Sequence, residues 1–282
     1  MRKKMGVLGP LGTHSEAAAQ YFMQRQQRSA ELVCFADIDE CLHAVETGAV
    51  DAAFVPVENS IEGSIAVTLD ALAHSDVLYV RHEVIWPVHN YLMARTADGT
   101  IRCIYSHPQP IAQCRNFLRR YYPHAEIIKT QSTARAAEIV GASGDHEGCA
   151  AICTQRAGAL NGLTLIADSI EDRGSNCTRF FEVACAPLPS GAPADTVLVI
   201  CQIDGSCAGA LYDVLGEFAH RAVNLTRIES RPARTELGAY IFFFDLDAHA
   251  EEDVLSASID AVAKKSIWLK VPGAFPVHTA AI

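Results

Sequence analysis

No stretch of this chain stays apolar for long enough to cross a bilayer, so a membrane-spanning protein is not expected. The opening residues Met1-Arg2-Lys3-Lys4-Met5-Gly6 are basic, but Gly9-Pro10 interrupts before an apolar signal segment can form. No export signal is read there, and a cytoplasmic protein is expected. Basic charge is scarce too: 23 Lys and Arg stand against 33 Asp and Glu, a formal net charge of −10. Such a field repels nucleic acid and anionic membranes, and an anionic small molecule would have to be captured by local groups. Metal-binding patterns are also missing. The ten cysteines are scattered, and Cys149 and Cys153 have no histidines at zinc-motif spacing. They read as buried apolar side chains in a reducing compartment, with no metal expected.

What is present is a globular profile. Half of the 282 residues are hydrophobic and a fifth are charged, enough for two or three filled cores. Met5 to Leu8 reads as a strand, followed by the turn Gly9-Pro10-Leu11-Gly12. Thr13 and Glu16 then have capping-box spacing ahead of an alanine-rich helix. Strand 32–35, helix 38–47 and strand 52–55 continue the rhythm, and Glu58-Asn59-Ser60 is read as opening another helix. A middle segment offers a strand-like run over 84–94, strand 101–105, helix 111–121, strand 126–129, helix 133–141, strand 150–152 and helix 155–160. This alternation predicts parallel sheets covered by helices.

Pro187-Leu188-Pro189-Ser190-Gly191-Ala192-Pro193 is the clearest linker, which divides the chain into 1–186, a connection over 187–194, and 195–282. The last unit reads as strand 196–203, helix 210–221, strands 225–230 and 239–247, helix 251–264 and a short strand over 269–271. That βαββαβ order is ferredoxin-like. Leu211, Leu215, Phe218 and Ala222 share one helix face, as do Leu255, Ile259 and Val262, and both stripes are expected in the core.

Polar clusters stand where strands end or helices begin: Thr13-His14-Ser15, Glu58-Asn59-Ser60, Ser106-His107, Ser132-Thr133 and Asn176-Cys177-Thr178-Arg179-Phe180. Helix N-termini offer free N–H groups and a positive dipole end, so these places suit carboxylates. Taken singly, each is an ordinary N-cap.

Taken together they carry a resemblance. Gly9-Pro10-Leu11-Gly12-Thr13-His14-Ser15-Glu16, Val55-Pro56-Val57-Glu58-Asn59-Ser60-Ile61-Glu62-Gly63-Ser64, Tyr105-Ser106-His107-Pro108-Gln109, Ser132-Thr133-Ala134 and Asn176-Cys177-Thr178-Arg179-Phe180 resemble the successive signatures of prephenate dehydratase, in that family's order. Gly209-Ala210-Leu211-Tyr212 and Glu229-Ser230-Arg231-Pro232 resemble the two signatures of its ACT regulatory domain. The resemblance implies an α/β architecture: a two-lobed catalytic region like a type II periplasmic binding protein, then a ferredoxin-like βαββαβ ACT domain. It implies a hydro-lyase that turns prephenate into phenylpyruvate for phenylalanine biosynthesis, works as a homodimer or tetramer, and takes L-phenylalanine as effector. Because the first strand starts at residue 5, no chorismate mutase domain is expected ahead of it.

Prephenate carries two carboxylates and a ring hydroxyl, and loss of water and carbon dioxide makes its ring aromatic. The protein must hold a dianion, assist departure of hydroxide and align the ring carboxylate. No metal or organic cofactor is needed for that. The family's Thr-Arg-Phe motif carries the role closest to catalysis onto Thr178, as a hydrogen-bonding partner of the departing hydroxyl. Asn59, Ser60, Ser106 and Thr133 are candidates for carboxylate and hydroxyl contacts, with Thr13, Ser15, Asn176 and Phe180 from the same signatures. His107 either contacts substrate or holds Ser106, Arg179 either contacts substrate or pairs with a carboxylate, and His89 lines the cleft or sits in the core. The effector contacts implied are Gly209, Ala210, Leu211, Asn224, Leu225, Glu229 and Ser230.

Two residues depart from the family pattern: His14 replaces an aromatic residue, and Ala208 replaces a proline. A prephenate decarboxylase is disfavoured by the presence of Thr178-Arg179-Phe180. Arogenate dehydratase and a non-catalytic small-anion sensor remain as alternative readings.

Overall fold

The computed structural model describes residues 3–97, 99–142, 148–234 and 238–280. The first lobe is built from β1 (Lys4–Leu8), α1 (His14–Arg25), β2 (Glu31–Phe35), α2 (Ile38–Glu46), β3 (Ala52–Asn59), β4 (Gly63–Ser64), α3 (Ala66–His74) and β5 (Tyr79–Pro87). The chain then crosses into a second lobe: β6 (Tyr91–Ala94), β7 (Cys103–Ser106), α4 (Pro108–Gln113), α5 (Arg115–Tyr121), β8 (Glu126–Lys129), α6 (Thr133–Gly141), β9 (Cys149–Cys153), α7 (Gln155–Leu160) and β10 (Thr164–Ala167). It returns as β11 (Cys177–Ala184), which lies between β5 and β3 in the first sheet.

Both sheets are mixed, where the alternation had predicted parallel ones. β1 runs parallel to β2 and β3, but β11 is antiparallel to both β3 and β5. In the second sheet β7 is parallel to β8 and β9, while β6 is antiparallel to β9 and β10. The return explains the first case: β5 leaves the lobe at the end where β11 enters it, so these neighbours must run in opposite directions. The run over 84–94 accordingly belongs to two sheets. No helix opens at Glu58 either. Asn59 Oδ1 accepts from the N–H groups of Ile61 and Glu62, which makes a turn, β4 pairs back onto β3, and the helix waits until Ala66. The helix expected over 111–121 begins earlier, at Pro108, and is interrupted at Cys114.

Side chains alternate across the first sheet as strand geometry requires. Phe54 and Phe180 face α1 and pack with Phe22, whereas Val55, Val57, Phe181 and Val183 face the opposite side, toward α2 and α3.

The third sheet consists of β12 (Thr196–Ile203), β13 (Leu225–Pro232), β14 (Tyr240–Asp247) and β15 (Trp268–Phe275) in the order β13-β14-β12-β15, all antiparallel. Helices α8 (Ala210–Ala219) and α9 (Glu252–Ala263) complete a βαββαβ unit. Val214, Phe218, Leu255 and Val262 of these helices pack on one face of the sheet. Leu211, expected in that stripe, is 37% exposed, because the helix turns Val214 toward the sheet instead. The other face, with Leu198, Ile200, Ile241 and Phe243, shares one core with Val55, Val57, Val80 and Phe181 of the first lobe. The chain end strengthens that junction: a further strand, β16 (Val277–Thr279), leaves the third sheet and pairs in parallel with β5.

Candidate active site

Two segments connect the lobes, and they hold each other. Val88 N–H donates to the Asn176 carbonyl at 2.8 Å, and Ile170 N–H to the Asn90 carbonyl at 2.9 Å. On the opposite wall Gly12 adopts φ +85°, and a Cβ there would lie 2.9 Å from Ala157, so glycine is required both by conformation and by the close approach of α7. Thr154 Oγ1 donates to the Gly12 carbonyl at 2.6 Å across the same contact.

Between these joints lies a cavity of ≈ 290 Å³. The first lobe contributes Thr13, His14, Ser15, Asn59 and Thr178; the second contributes His107, Gln109, Gln113, Ser132 and Thr133; Asn90 and Asn176 come from the crossings. Three helix N-termini meet there. Thr13 caps α1, His107 caps α4 and Ser132 caps α6, each accepting a backbone N–H with its side chain. No Lys, Arg, Asp or Glu is found among the described residues lining the cavity. An anion entering it would meet hydroxyl, amide and imidazole groups and helix dipoles, in a chain whose overall field is repulsive.

The hydroxyl of Thr178 has a defined role in the network. Asn59 Oδ1 is occupied by two backbone N–H groups, so its Nδ2 is the donor, and it reaches Thr178 Oγ1 at 3.0 Å and Asn176 Oδ1 at 2.9 Å. Thr178 accepts, and among the described residues its own proton has no acceptor. Asn176 Nδ2 in turn donates to Gln113 Oε1 at 3.3 Å, as does Asn90 Nδ2. With Oε1 accepting twice, the Gln113 amide nitrogen is the free end. It is buried and makes no hydrogen bond among the described residues. Buried donors are rarely left so, and this one lines the cavity, where a substrate oxygen would complete it.

His14 lines the cleft and also an adjoining cavity of ≈ 170 Å³ that includes Trp86, His89 and Arg156. Desolvation lowers its pKa to about 4, with His89 adding to the effect and Glu171 opposing it. His14 is thus a neutral imidazole near neutral pH, with Nδ1 accepting from Trp86 Nε1 at 3.4 Å. His89 sits in that side cavity and not in the cleft, held by Glu171 Oε1 at 2.7 Å.

Of the residues singled out by sequence, Thr13, Ser15, Asn59, His107, Thr133, Asn176 and Thr178 come together around this cavity. Four others do not. Ser106 is fully buried and its hydroxyl donates to the Ile152 carbonyl at 2.7 Å, tying β7 to β9. Ser60 Oγ donates to the Ser175 carbonyl and accepts from Cys177 N–H, a clamp at the end of β11. Phe180 stacks on Phe54 in the core, with ring centroids 5.2 Å apart. Arg179 points to the opposite face of the sheet and pairs with Glu83, Glu58 and Asp245. Gln113 was missed by sequence reasoning. The signal was its place one helical turn after Gln109, which puts both glutamines on one face.

In the third sheet, Gly209 adopts φ +87° just before α8, with Ala210 and Leu211 in the first turn. The Asn224 carbonyl accepts from Asp247 N–H, Leu225 packs on the helix side, and Ser230 is exposed. Glu229 faces the first lobe, accepting from Ser64 Oγ at 2.8 Å. Among the described residues no helix is long and apolar enough to cross a membrane.

A family model described as prephenate dehydratase matches residues 5–187. The chain is 32% identical over 279 residues to the prephenate dehydratase of Lactococcus lactis subsp. cremoris, covering 98% of each chain. Its fold superposes with a TM-score of 0.85 on the prephenate dehydratase of Arthrobacter aurescens solved in complex with L-Phe, at 33% identity, covering 97% of this chain and 90% of that one. A TM-score of 0.84 at 26% identity, covering 98% of both chains, relates it also to GqqA, described as a quorum quenching acylase. With the family pattern running through the residues that build the cleft, this chain belongs to the prephenate dehydratase family.

Proposed function

We propose that the cleft binds prephenate as a dianion and converts it to phenylpyruvate, water and carbon dioxide. The observation that carries this reading is the Thr178 hydroxyl, which accepts from Asn59 and keeps its proton to donate in a cavity ringed by three helix N-termini. In the reaction the ring C–O bond breaks as hydroxide leaves with a solvent-derived proton, assisted by the Thr178 O–H. The bond from the ring to its carboxylate breaks with it, and that electron pair completes the aromatic ring. Most of the driving force lies in aromatisation, so positioning and stabilisation of the leaving hydroxyl suffice. The N–H groups at the starts of α1 and α6 are suited to the two carboxylates, and Gln113 Nε2 to a substrate oxygen near Thr178.

The βαββαβ unit is read as an ACT domain. L-Phenylalanine would sit at Gly209-Ala210-Leu211 with Asn224, Leu225 and Ser230 nearby, closed by a second copy in a dimer or tetramer of a cytoplasmic enzyme. Support comes from the positive φ of Gly209, which opens backbone to a ligand, and from the Arthrobacter relative being a complex with L-Phe. Glu229 belongs to the same reading, with its Oε2 also accepting from Ser64 Oγ.

The test is to incubate the purified protein separately with prephenate and arogenate, following phenylpyruvate and phenylalanine, and then to titrate L-phenylalanine against turnover. Phenylpyruvate from prephenate, suppressed by L-phenylalanine, is expected. Turnover of arogenate alone would make the chain an arogenate dehydratase, and turnover of neither would favour a small-anion sensor. Acyl transfer of the kind named for GqqA needs a nucleophile paired with a base, whereas Thr178 Oγ1 takes its hydrogen bond from an amide.

A further inference from the structure

Thr178 and Arg179 are neighbours on β11, and strand alternation sends them to opposite faces of the first sheet. Thr178 lines the cleft; Arg179 enters the junction with the third sheet. There its guanidinium donates to Glu83 of β5 through Nε at 2.7 Å and Nη2 at 2.8 Å, to Glu58 of β3 at 3.0 Å, and to Asp245 of β14 at 2.8 Å. One side chain on β11 thus pins the strands on either side of it to the third sheet. A second arginine repeats the link, since Arg227 of β13 reaches Glu58 at 2.8 Å and Ser64 at 3.0 Å.

The register converts these contacts into a statement about the cleft. Thr178 is the β-sheet partner of Asn59, and Arg179 is the partner of Glu58. Whatever fixes Glu58 and Arg179 therefore fixes the backbone of the two residues whose side chains meet at 3.0 Å in the cavity. The pin is well buried: Asp245 is 2% exposed, and among the described residues its Oδ1 makes no hydrogen bond, so Arg179 is its side chain's partner. Desolvation opposes the charge on Arg179, but Glu83 and Asp245 outweigh it and hold the guanidinium protonated.

We propose that Arg179 is a positioning residue and not a substrate ligand: Asp245 through Arg179, and Arg227 through Glu58, set the Thr178–Asn59 geometry from the third sheet. The proposal rests on the dehydratase reading. Because geometry at the departing hydroxyl matters in the transition state more than in binding, loosening the pin lowers kcat and leaves KM in place.

The test uses two variants whose substitutions lie in the third sheet, away from substrate. Asp245→Asn keeps the side-chain size and weakens the charge-assisted bond to Arg179; Arg227→Gln releases Glu58 from the other side. Wild-type turnover of prephenate is measured first, and its absence would defeat the dehydratase reading itself. Given that turnover, kcat per folded protein should fall by about fivefold or more in Asp245→Asn, with KM within about twofold of wild type. A folding defect without a role in positioning would lower the folded fraction and leave its kcat unchanged. If Asp245→Asn does not fold, Arg227→Gln decides by the same split. Wild-type kcat in the folded variants, or a change confined to KM, would overturn the proposal.

Discussion

In the proposed reaction the part assigned to Thr178 turns on the direction of one hydrogen bond, and that direction is set by Asn59. Asn59 can only donate to Thr178 because its carbonyl oxygen is taken by the turn at Ile61 and Glu62. Gln113 is oriented in the same way by Asn90 and Asn176, which leaves its amide nitrogen without a hydrogen bond among the described residues. Gln113→Glu keeps the accepting oxygen but replaces the free donor by a carboxylate facing a dianion. We predict a fall in kcat/KM of about a hundredfold, since like-charge juxtaposition costs several kcal/mol. Near wild-type kcat/KM would remove Gln113 from the site. His14 gives a second prediction. As pH falls below the ordinary histidine value of 6.5, the unfolded chain takes up a proton that folded His14 refuses until about 4. Its contribution to stability is full above 6.5 and is lost as pH falls through that window. Burial lowers His82 to about 4 as well, with the same sign. His14→Phe should therefore reduce, without abolishing, the drop in thermal midpoint between pH 7 and 4.5. An equal drop in both proteins would show that His14 does not refuse the proton.

Among the elements, β8, α6, α7 and β12 were legible with their ends, because turn residues and caps such as Ser132 and Thr154 mark them locally. β11 was not. Its residues were read as a polar signature, and its strand character comes from β3 and β5 pairing on either side, contacts distant in sequence. For the same reason the face of Arg179 could not be read: without the strand, nothing says that Thr178 and Arg179 part company. The terminal strand β16 was also illegible, being short and dependent on its partner. Its role is testable. Glu83 N–H donates to the Pro276 carbonyl, Val277 N–H to Asp195, and His278 contacts His82 at 3.1 Å. A chain ending at Phe275 loses all of these and uncovers β5, which carries Glu83. We expect its thermal midpoint to fall by about 5 °C or more. An unchanged midpoint would mean that β16 only rests on the sheet.

At the scale of the molecule, the βαββαβ order of the terminal unit was visible in the pattern of its strands and helices. The continuity of its core with that of the first lobe was hidden. Leu198, Ile200 and Phe243 complete the packing of Val55, Val57 and Phe181, so the third sheet is also a wall of the first lobe. The lack of Lys, Arg, Asp and Glu among the described residues of the cleft likewise emerges only when residues far apart in the chain are brought to one cavity. The central claim is that this cavity removes water and carbon dioxide from prephenate with Thr178 as donor to the leaving hydroxyl. Its most direct test is phenylpyruvate formation from prephenate, measured side by side for the wild-type protein and Thr178→Val, in the presence of a chelator. The account predicts sustained turnover by the wild type and a kcat lower by about a hundredfold or more in the variant at similar KM. Comparable kcat values in the two folded proteins would contradict it.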